Sequence, residues 1–475
     1  MTQLKKACQV ISEKYITERI LTCFLCCMVL GFPILELICV PLNHTFFLQE
    51  TFLIQCGLIL LILQIPRWLG ATERRFCLSD CFLIASAVFA VISIVTSLDI
   101  TQSLHGQPNY SETPLQTLGY FMAFLASTQI REDSNRKDIL YALGGMFLIE
   151  MVVGTIQKLQ LWPWPAIWGQ SRTTAPGVAY GLTENSNFYG AICVLAVGFF
   201  SSLYLFGNRY ISKKQSVLVY ILAVWSFLCA MFSSARLAWV GIAGEVFIVF
   251  FLDILMRRKY RHAVSRSRRI WFLFLTFLLI FLLLFFFDST LSKRRTGVQN
   301  DIQVVKDLAV GKTNTSALNH FGSNRGYLWR VCIHAWLQRP ILGIGFDNLR
   351  YAYTMFSDPE MNGLFQDKAH NEYLHYLTTQ GLFSCLNYLS LCCYVTIRGI
   401  RVGSRKFRTG LQTGQHSAWI ILLTLLVMAF GYFTQALFDS SVTNIAIYKW
   451  IVMGLILSRS EQKTLKPCRL IRRSE

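Results

Sequence analysis

The chain has 475 residues, of which 53% are hydrophobic and 14% are aromatic. A water-soluble protein of this length needs a more polar surface, so the composition indicates an integral membrane protein. The formal net charge is +19, but the basic residues are scattered over many short connections rather than gathered in one patch, which argues against nucleic-acid binding.

Apolar segments recur along the chain and predict about twelve transmembrane helices. They lie near residues 20–42, 51–65, 78–98, 115–130, 139–156, 186–206, 216–232, 236–256, 270–288, 371–397, 417–438 and 442–458. No small-residue cleavage site follows the first segment, which is therefore predicted to be an anchor and not a signal peptide. The predicted fold is an all-α membrane protein with nine spans in 1–288 and three in 371–458.

Lysine and arginine cluster at the N-terminus and in alternate connections between the apolar segments. They include Lys5, Lys6, Lys14 and Arg19; Arg67, Arg74 and Arg75; Arg131, Arg136 and Lys137; Arg209, Lys213 and Lys214; and the runs at 257–269, 398–408 and 459–473. Basic connections stay in the cytoplasm. Both termini, with the basic tail 459–475, are therefore predicted to be cytoplasmic, and the long polar loop 289–370 to be extracytoplasmic.

The long loop interrupts the apolar pattern and is predicted to be helical. A helix is predicted from about 324 to 338, where a proline stops it. Gly343–Gly345 predicts a tight turn, and Asp347 or Asn348 is expected to cap a short helix after it. A third helix is predicted to begin near Asp367 and to enter the membrane.

Arginine on the outer side of a membrane protein opposes the usual charge bias, so each one needs a reason. Arg236 lies at the mouth of two spans joined by almost no loop, where it can contact lipid headgroups or bind a diphosphate through paired hydrogen bonds. Arg325 begins the first loop helix, whose N-terminus attracts anions. Arg172, in the shorter outer loop 157–185, is a weaker candidate.

His370 lies just before the tenth predicted span. Histidine is the side chain that most readily exchanges a proton near neutral pH, although a lone histidine is more often structural. Intramembrane Glu36, Glu150 and Glu245 are costly unless paired or hydrated, so each is a functional candidate and would also suit a proton-coupled transporter. The cysteines show no paired spacing that predicts a metal site.

Four segments together resemble the O-antigen ligase and polymerase superfamily of bacterial envelope enzymes. They are 184–188 (ENSNF), 233–239 (SSARLAW), 325–329 (RGYLW) followed by 340–345 (PILGIG), and 369–374 (AHNEYL) ending at Gly381. The resemblance covers roughly residues 170–385. One departure is Leu237, since the family often has glycine directly after the arginine that corresponds to Arg236. The difference puts the backbone packing at this position in question, but not the positive charge of Arg236.

The resemblance implies transfer of a glycan from undecaprenyl diphosphate to an acceptor hydroxyl on the outer side of the bacterial cytoplasmic (inner) membrane, without a metal or other cofactor. By the same resemblance, His370 is the general base, and Arg236 and Arg325 bind the diphosphate. The residues assigned to substrate binding are Arg172, Asn187 and Asn371. The implied partners are the lipid-linked donor, a glycolipid or glycan acceptor, and the bilayer.

Three members of the superfamily share this donor chemistry and differ in the acceptor. A ligase joins polysaccharide to a lipid A-core sugar in lipopolysaccharide biosynthesis, a polymerase joins repeat units, and a protein O-oligosaccharyltransferase uses Ser or Thr. The sequence favours the ligase type. A secondary transporter or polysaccharide flippase is the alternative of another class, although the single large loop after the ninth span breaks the two-halves pattern common in transporters.

Overall fold

The structure is a computed structural model, and it describes most of the chain. The described residues are 2–14, 17–39, 45–70, 76–106, 112–161, 177–183, 185–207, 211–259, 267–312, 315–356, 358–361, 363–414 and 416–458. Within these ranges the regular secondary structure is entirely helical, as predicted.

Seventeen α-helices follow one another in these ranges. They are α1 (Thr2–Lys14), α2 (Glu18–Cys39), α3 (Thr45–Gly70), α4 (Leu78–Val95), α5 (Ile100–His105), α6 (Pro114–Thr128), α7 (Asp133–Lys158), α8 (Ser186–Gly207), α9 (Lys213–Phe232), α10 (Arg236–Lys259), α11 (Ser267–Phe287), α12 (Ser289–Ala309), α13 (Thr315–Gln338), α14 (Ala352–Met355), α15 (Glu372–Thr413), α16 (Ser417–Gln435) and α17 (Thr443–Ile456). Short 3₁₀ turns lie at Leu349–Tyr351 and Pro359–Met361.

Ten of the described helices are long and apolar enough to cross a membrane: α2, α3, α4, α7, α8, α9, α10, α11, α15 and α16. Each corresponds to a predicted span. The other two predicted spans correspond to α6 and α17, which have only 15 and 14 residues. At 1.5 Å per residue they are roughly 21–23 Å long, shorter than the bilayer core. The count of twelve and the sidedness remain predictions.

The centre of the bundle is formed by α8, α16 and α17, whose apolar side chains are buried almost all round. Helix α11, in contrast, exposes most of its apolar surface, which suits a position facing lipid. Small residues let the helices approach closely, as is usual in membranes. A Cβ on Gly57 of α3 would lie 2.6 Å from the Cα of Gly119 in α6.

The loop between α11 and α15 is helical and has its own apolar core. Helix α12, which the sequence reading missed, directly follows α11, and α13 contains a break at Phe321–Asn324. The buried side chains of this core are Tyr327, Leu328, Val331, Cys332, Ala335, Ile344, Leu349, Ala352, Tyr353, Met361 and Ala369. We call the end of the bundle that carries this loop the loop end.

The helix predicted to begin near Asp367 begins instead at Glu372 and continues to Thr413. His370 has a φ of +46°, which a helix cannot contain, and the side chain of Asn371 accepts a hydrogen bond from the N–H of Leu374 (2.9 Å) as the N-cap. Asn348 holds the cap position of its 3₁₀ turn, but its side chain makes no capping bond. It donates to Asp99 O (3.1 Å) instead.

A break in α15 docks the glycine-rich turn of the loop. Gly381 has a φ of +82° and interrupts the helix, so the carbonyls of Thr378 and Thr379 accept from Ile344 N (3.0 Å) and Gly345 N (2.9 Å). A Cβ on Gly381 would lie 2.0 Å from Ile341 O. The glycines in this motif therefore permit close approach of two backbones.

Replacing Gly381 with alanine is expected to lower the thermal midpoint of the purified protein by several degrees. Its φ of +82° and ψ of 179° lie in a region restricted to glycine, where strain alone costs about 1–3 kcal/mol, and the added methyl group meets Ile341 O. Gly414→Ala is the matched control, because Gly414 has a φ of +75° but nothing within 4 Å of an added Cβ. Equal midpoints for the two variants would contradict the docking role.

Candidate functional site

Arg236 begins α10 directly after a tight turn at the loop end. Ser234 in this turn has a φ of +53°, and the turn packs closely on α8. A Cβ on Gly190 of α8 would lie 2.8 Å from the Cβ of Ala235. Asn187 lies one helical turn before Gly190 and therefore shares this face of α8, while its own N–H donates to Asn185 Oδ1 (2.8 Å).

The guanidinium of Arg236 contacts the loop through one carboxylate. Its Nη1 forms an ion pair with Asp301 Oδ2 of α12. The other oxygen, Asp301 Oδ1, accepts a hydrogen bond from Gly322 N (2.9 Å) in the break of α13. Arg236 Nε is buried without a hydrogen-bond partner among the described residues. One aspartate thus joins the bundle, α12 and α13.

Arg325 follows three consecutive residues in the left-handed region. Gly322, Ser323 and Asn324 have φ values of +63°, +63° and +70°, so the chain reverses immediately before Arg325. Gly326 makes this reversal feasible, because a Cβ there would lie 1.7 Å from Leu318 O. The break in α13 therefore determines the position of the Arg325 backbone, and so the point from which its side chain extends.

His370 lies between the loop and α15 and faces Asp439 from the α16–α17 connection. Its Nδ1 is 3.9 Å from Asp439 Oδ1, with exposed fractions of 25% for the His370 side chain and 2% for Asp439. This separation exceeds a hydrogen bond, so the imidazole and the carboxylate face each other without a direct bond. Trp329 of α13 donates from Nε1 to Ala369 O (3.2 Å) and packs on Phe438, holding the backbone on both sides of this pair.

A buried network anchors the start of α15. Glu372 forms an ion pair with Lys449 of α17, and both side chains are almost fully buried. Tyr388 and Tyr432 donate their hydroxyls to the two carboxylate oxygens of Glu372 at 2.8 and 3.1 Å. Lys449 Nζ also lies 5.0 Å from the centre of the Tyr432 ring. The charges are thus compensated on both sides, as a buried pair requires.

Charges of both signs meet at the centre of this region. Burial lowers the pKa of Arg325; Asp439 opposes this effect, and Arg236 adds to it. The site therefore brings Arg236, Arg325 and the His370–Asp439 pair into electrostatic contact. The guanidinium groups repel one another, so an anionic ligand between them would be stabilised.

The remaining predicted residues differ in what the structure says of them. Asn187 and Asn371 lie at the starts of α8 and α15, both at the loop end. The side-chain oxygen of Asn371 is used as an N-cap. Arg172 lies outside the described residues. Roles in substrate binding remain predictions for all three.

Sequence reasoning missed the two carboxylates of the site, Asp301 and Asp439. Asp301 lies on the site-facing side of α12, and an amphipathic pattern over 289–309 was the available signal. Asp439 is an acidic residue in a short connection between two apolar helices, which was the signal for it. Neither spacing identifies a partner arginine or histidine far away in the sequence.

Two of the three intramembrane glutamates accept a hydrogen bond from a named donor. Glu36 accepts a hydrogen bond from Gln49, and Glu150 Oε2 accepts one from Leu182 N (2.9 Å). Glu245 packs against Gly198 and Gly431, where an added Cβ would lie 2.3 and 2.4 Å from its Oε1. Across the described ranges, no group of three or more His, Cys, Asp or Glu side chains is arranged to hold a metal.

The fold and these residues define a multi-pass membrane protein with an arginine- and histidine-containing site at its loop end. Residues 221–389 match the family model described as O-Antigen ligase. Over that stretch, the match confirms the resemblance to the O-antigen ligase superfamily found in the sequence. The matched stretch contains Arg236, Arg325 and His370. The chain matches no curated protein.

Breaking the Glu372–Lys449 pair is expected to destabilise the protein strongly. Lys449→Met leaves a buried carboxylate without its counter-charge, a change that costs about 3–5 kcal/mol. The thermal midpoint should fall sharply for Lys449→Met and for Glu372→Gln, and the double variant should recover part of the loss. If the decrease in thermal midpoint of the double variant equals the sum of the two single decreases, the two side chains are not coupled and the prediction is wrong.

Proposed function

We propose that the protein transfers a glycan from undecaprenyl diphosphate to an acceptor hydroxyl at the outer face of the cytoplasmic membrane, as an O-antigen ligase acting on lipid A-core. The proposal rests on the match to the O-antigen ligase family and on the charges that meet at the loop end. Sidedness, donor and acceptor are parts of this proposal.

In the proposed reaction, His370 accepts the proton of the acceptor hydroxyl. The acceptor oxygen then forms a bond to the anomeric carbon, and the bond from that carbon to the diphosphate breaks. The electron pair leaves with the diphosphate, whose growing charge Arg236 and Arg325 stabilise. Two arginines can supply this stabilisation without a divalent cation, because a diphosphate is already a good leaving group.

Asp439 is proposed to assist His370 as a positioning residue. His370 Nδ1 is the ring nitrogen that faces the Asp439 carboxylate, so Nε2 is the nitrogen available to the acceptor. A carboxylate on one side of an imidazole fixes its orientation and stabilises the cation that forms when a proton arrives. Asp439 also acts on Arg325, so it links the base to the diphosphate-binding residues.

The single observation that supports this function best is the set of contacts that joins Arg236, through Asp301, to Gly322 three residues before Arg325, and that places His370 against Asp439. A base and a set of cations in one place match a transfer in which one partner loses a proton and the other leaves as an anion. A transporter or flippase has no need for this pairing of base and cations.

Replacing His370 with alanine is expected to lower kcat for glycan transfer by at least about 100-fold, the usual contribution of a general base. The measurement is transfer by purified protein in proteoliposomes with lipid-linked donor and acceptor. His334→Ala, in the same loop, is the control and should retain transfer. Asp439→Asn should lower kcat less than His370→Ala. Full transfer by His370→Ala would refute the mechanism.

Lipopolysaccharide banding in a deletion strain should separate ligase from polymerase. Loss of a ligase leaves undecaprenyl-linked polymer that is not attached to the core. Loss of a polymerase leaves core carrying a single repeat unit, and unchanged lipopolysaccharide with altered glycoproteins would indicate a protein O-oligosaccharyltransferase. We expect the first pattern, and either of the others would overturn the ligase assignment.

A further inference from the structure

A third arginine, Arg294 of α12, lies on the face of that helix that meets the site. Gly297 and Asp301 follow it at spacings of three and seven residues, which places all three on one side of the helix. Both later residues contact Arg236: Asp301 through the ion pair, and Gly297 because an added Cβ would lie 2.1 Å from Arg236 Nη2. Leu291, one turn before Arg294, is buried in the bundle core.

Arg294 has no hydrogen-bond or ion-pair partner in the part of the chain that the structure describes. Its side chain is exposed, so a ligand can approach it. Partial desolvation lowers the pKa of Arg294, and the charge of Arg236 lowers it further. Arg294 in turn acts on Arg325. Three arginines therefore face two carboxylates, Asp301 and Asp439.

The surplus charge indicates what this region accepts. Arg236 is the one arginine of the three with a carboxylate partner, and Asp301 also serves Gly322 N. Asp439, the other carboxylate, faces His370. Arg294 and Arg325 are thus left with guanidinium donors suited to phosphate oxygens, which Arg contacts through paired hydrogen bonds.

We propose that Arg294 is a third diphosphate-binding residue, which contacts the phosphate groups of the undecaprenyl diphosphate donor together with Arg236 and Arg325. This inference rests on the proposed function and adds a ligand-binding residue to that site. Because α12 directly follows α11, the Arg294 contact would link donor binding to the start of the loop. A phosphate from an ordinary lipid headgroup is the alternative source of the same chemistry.

Native mass spectrometry of purified full-length protein can measure both phosphate sources on one sample. Undecaprenyl diphosphate and phosphatidylglycerol are added in turn to wild type, Arg294→Ala and Arg295→Ala. Arg295 is the matched control, since it carries the same charge but lies about 100° further round α12. Arg294→Ala is expected to bind undecaprenyl diphosphate about 10- to 100-fold more weakly than wild type, as expected for loss of hydrogen bonds to a charged group. Arg295→Ala should stay within about twofold, and phosphatidylglycerol binding should be unchanged in both.

Equal undecaprenyl diphosphate affinity in the two variants would overturn the inference, as would a loss confined to phosphatidylglycerol. Arg294→Lys keeps the charge and should recover part of the affinity, which separates phosphate binding from a folding defect. The failure of the inference is also distinct from failure of the proposed function. If wild type transfers glycan but Arg294→Ala binds undecaprenyl diphosphate as tightly as wild type, only this inference is refuted. If binding depends on Arg294 but wild type transfers no glycan, only the glycan-transfer proposal is refuted.

Discussion

The ion pair between Arg236 and Asp301 is the contact on which the arrangement of the loop depends. Arg236 is held on the bundle by the tight turn that packs on α8. Asp301 of α12 pairs with Arg236 and accepts a hydrogen bond from Gly322 N, so it connects the bundle to α12 and to the break in α13. A partly buried carboxylate that serves two donors gains more than either contact alone would give. The position of Arg325 follows from this link.

Unusual backbone conformations concentrate around the same place. Ser234, His370 and the residues at 322–324 all have positive φ, which for residues other than glycine costs free energy and persists only where the surroundings enforce it. Here the surroundings are the Glu372–Lys449 network below His370 and the docking of the glycine turn on Gly381. The strained residues are thus held between two rigid contacts.

Under the proposed function, the buried charges stabilise the fold and the remaining arginines bind the donor. Glu372 and Lys449 neutralise each other and stay in the interior, whereas Arg294 and Arg325 are left without carboxylate partners among the described residues. A site that repels its own cations favours the state in which a phosphate lies between them. Asp301 and Asp439 offset part of the repulsion among these arginines, and an anionic ligand would offset more of it.

The sequence determined the membrane class, the apolar helices and the stretch that carries the candidate site, because apolar periodicity and short motifs are local signals. It also singled out Arg236, Arg325 and His370. It did not identify Asp301 or Asp439, the start of α15 at Glu372, or α12 as a helix. The Arg236–Asp301 pair spans 65 residues, and no local pattern encodes such a partner. Only the tertiary structure decided these pairings, because α12, α13 and the α16–α17 connection meet at the loop end only once the helices have packed.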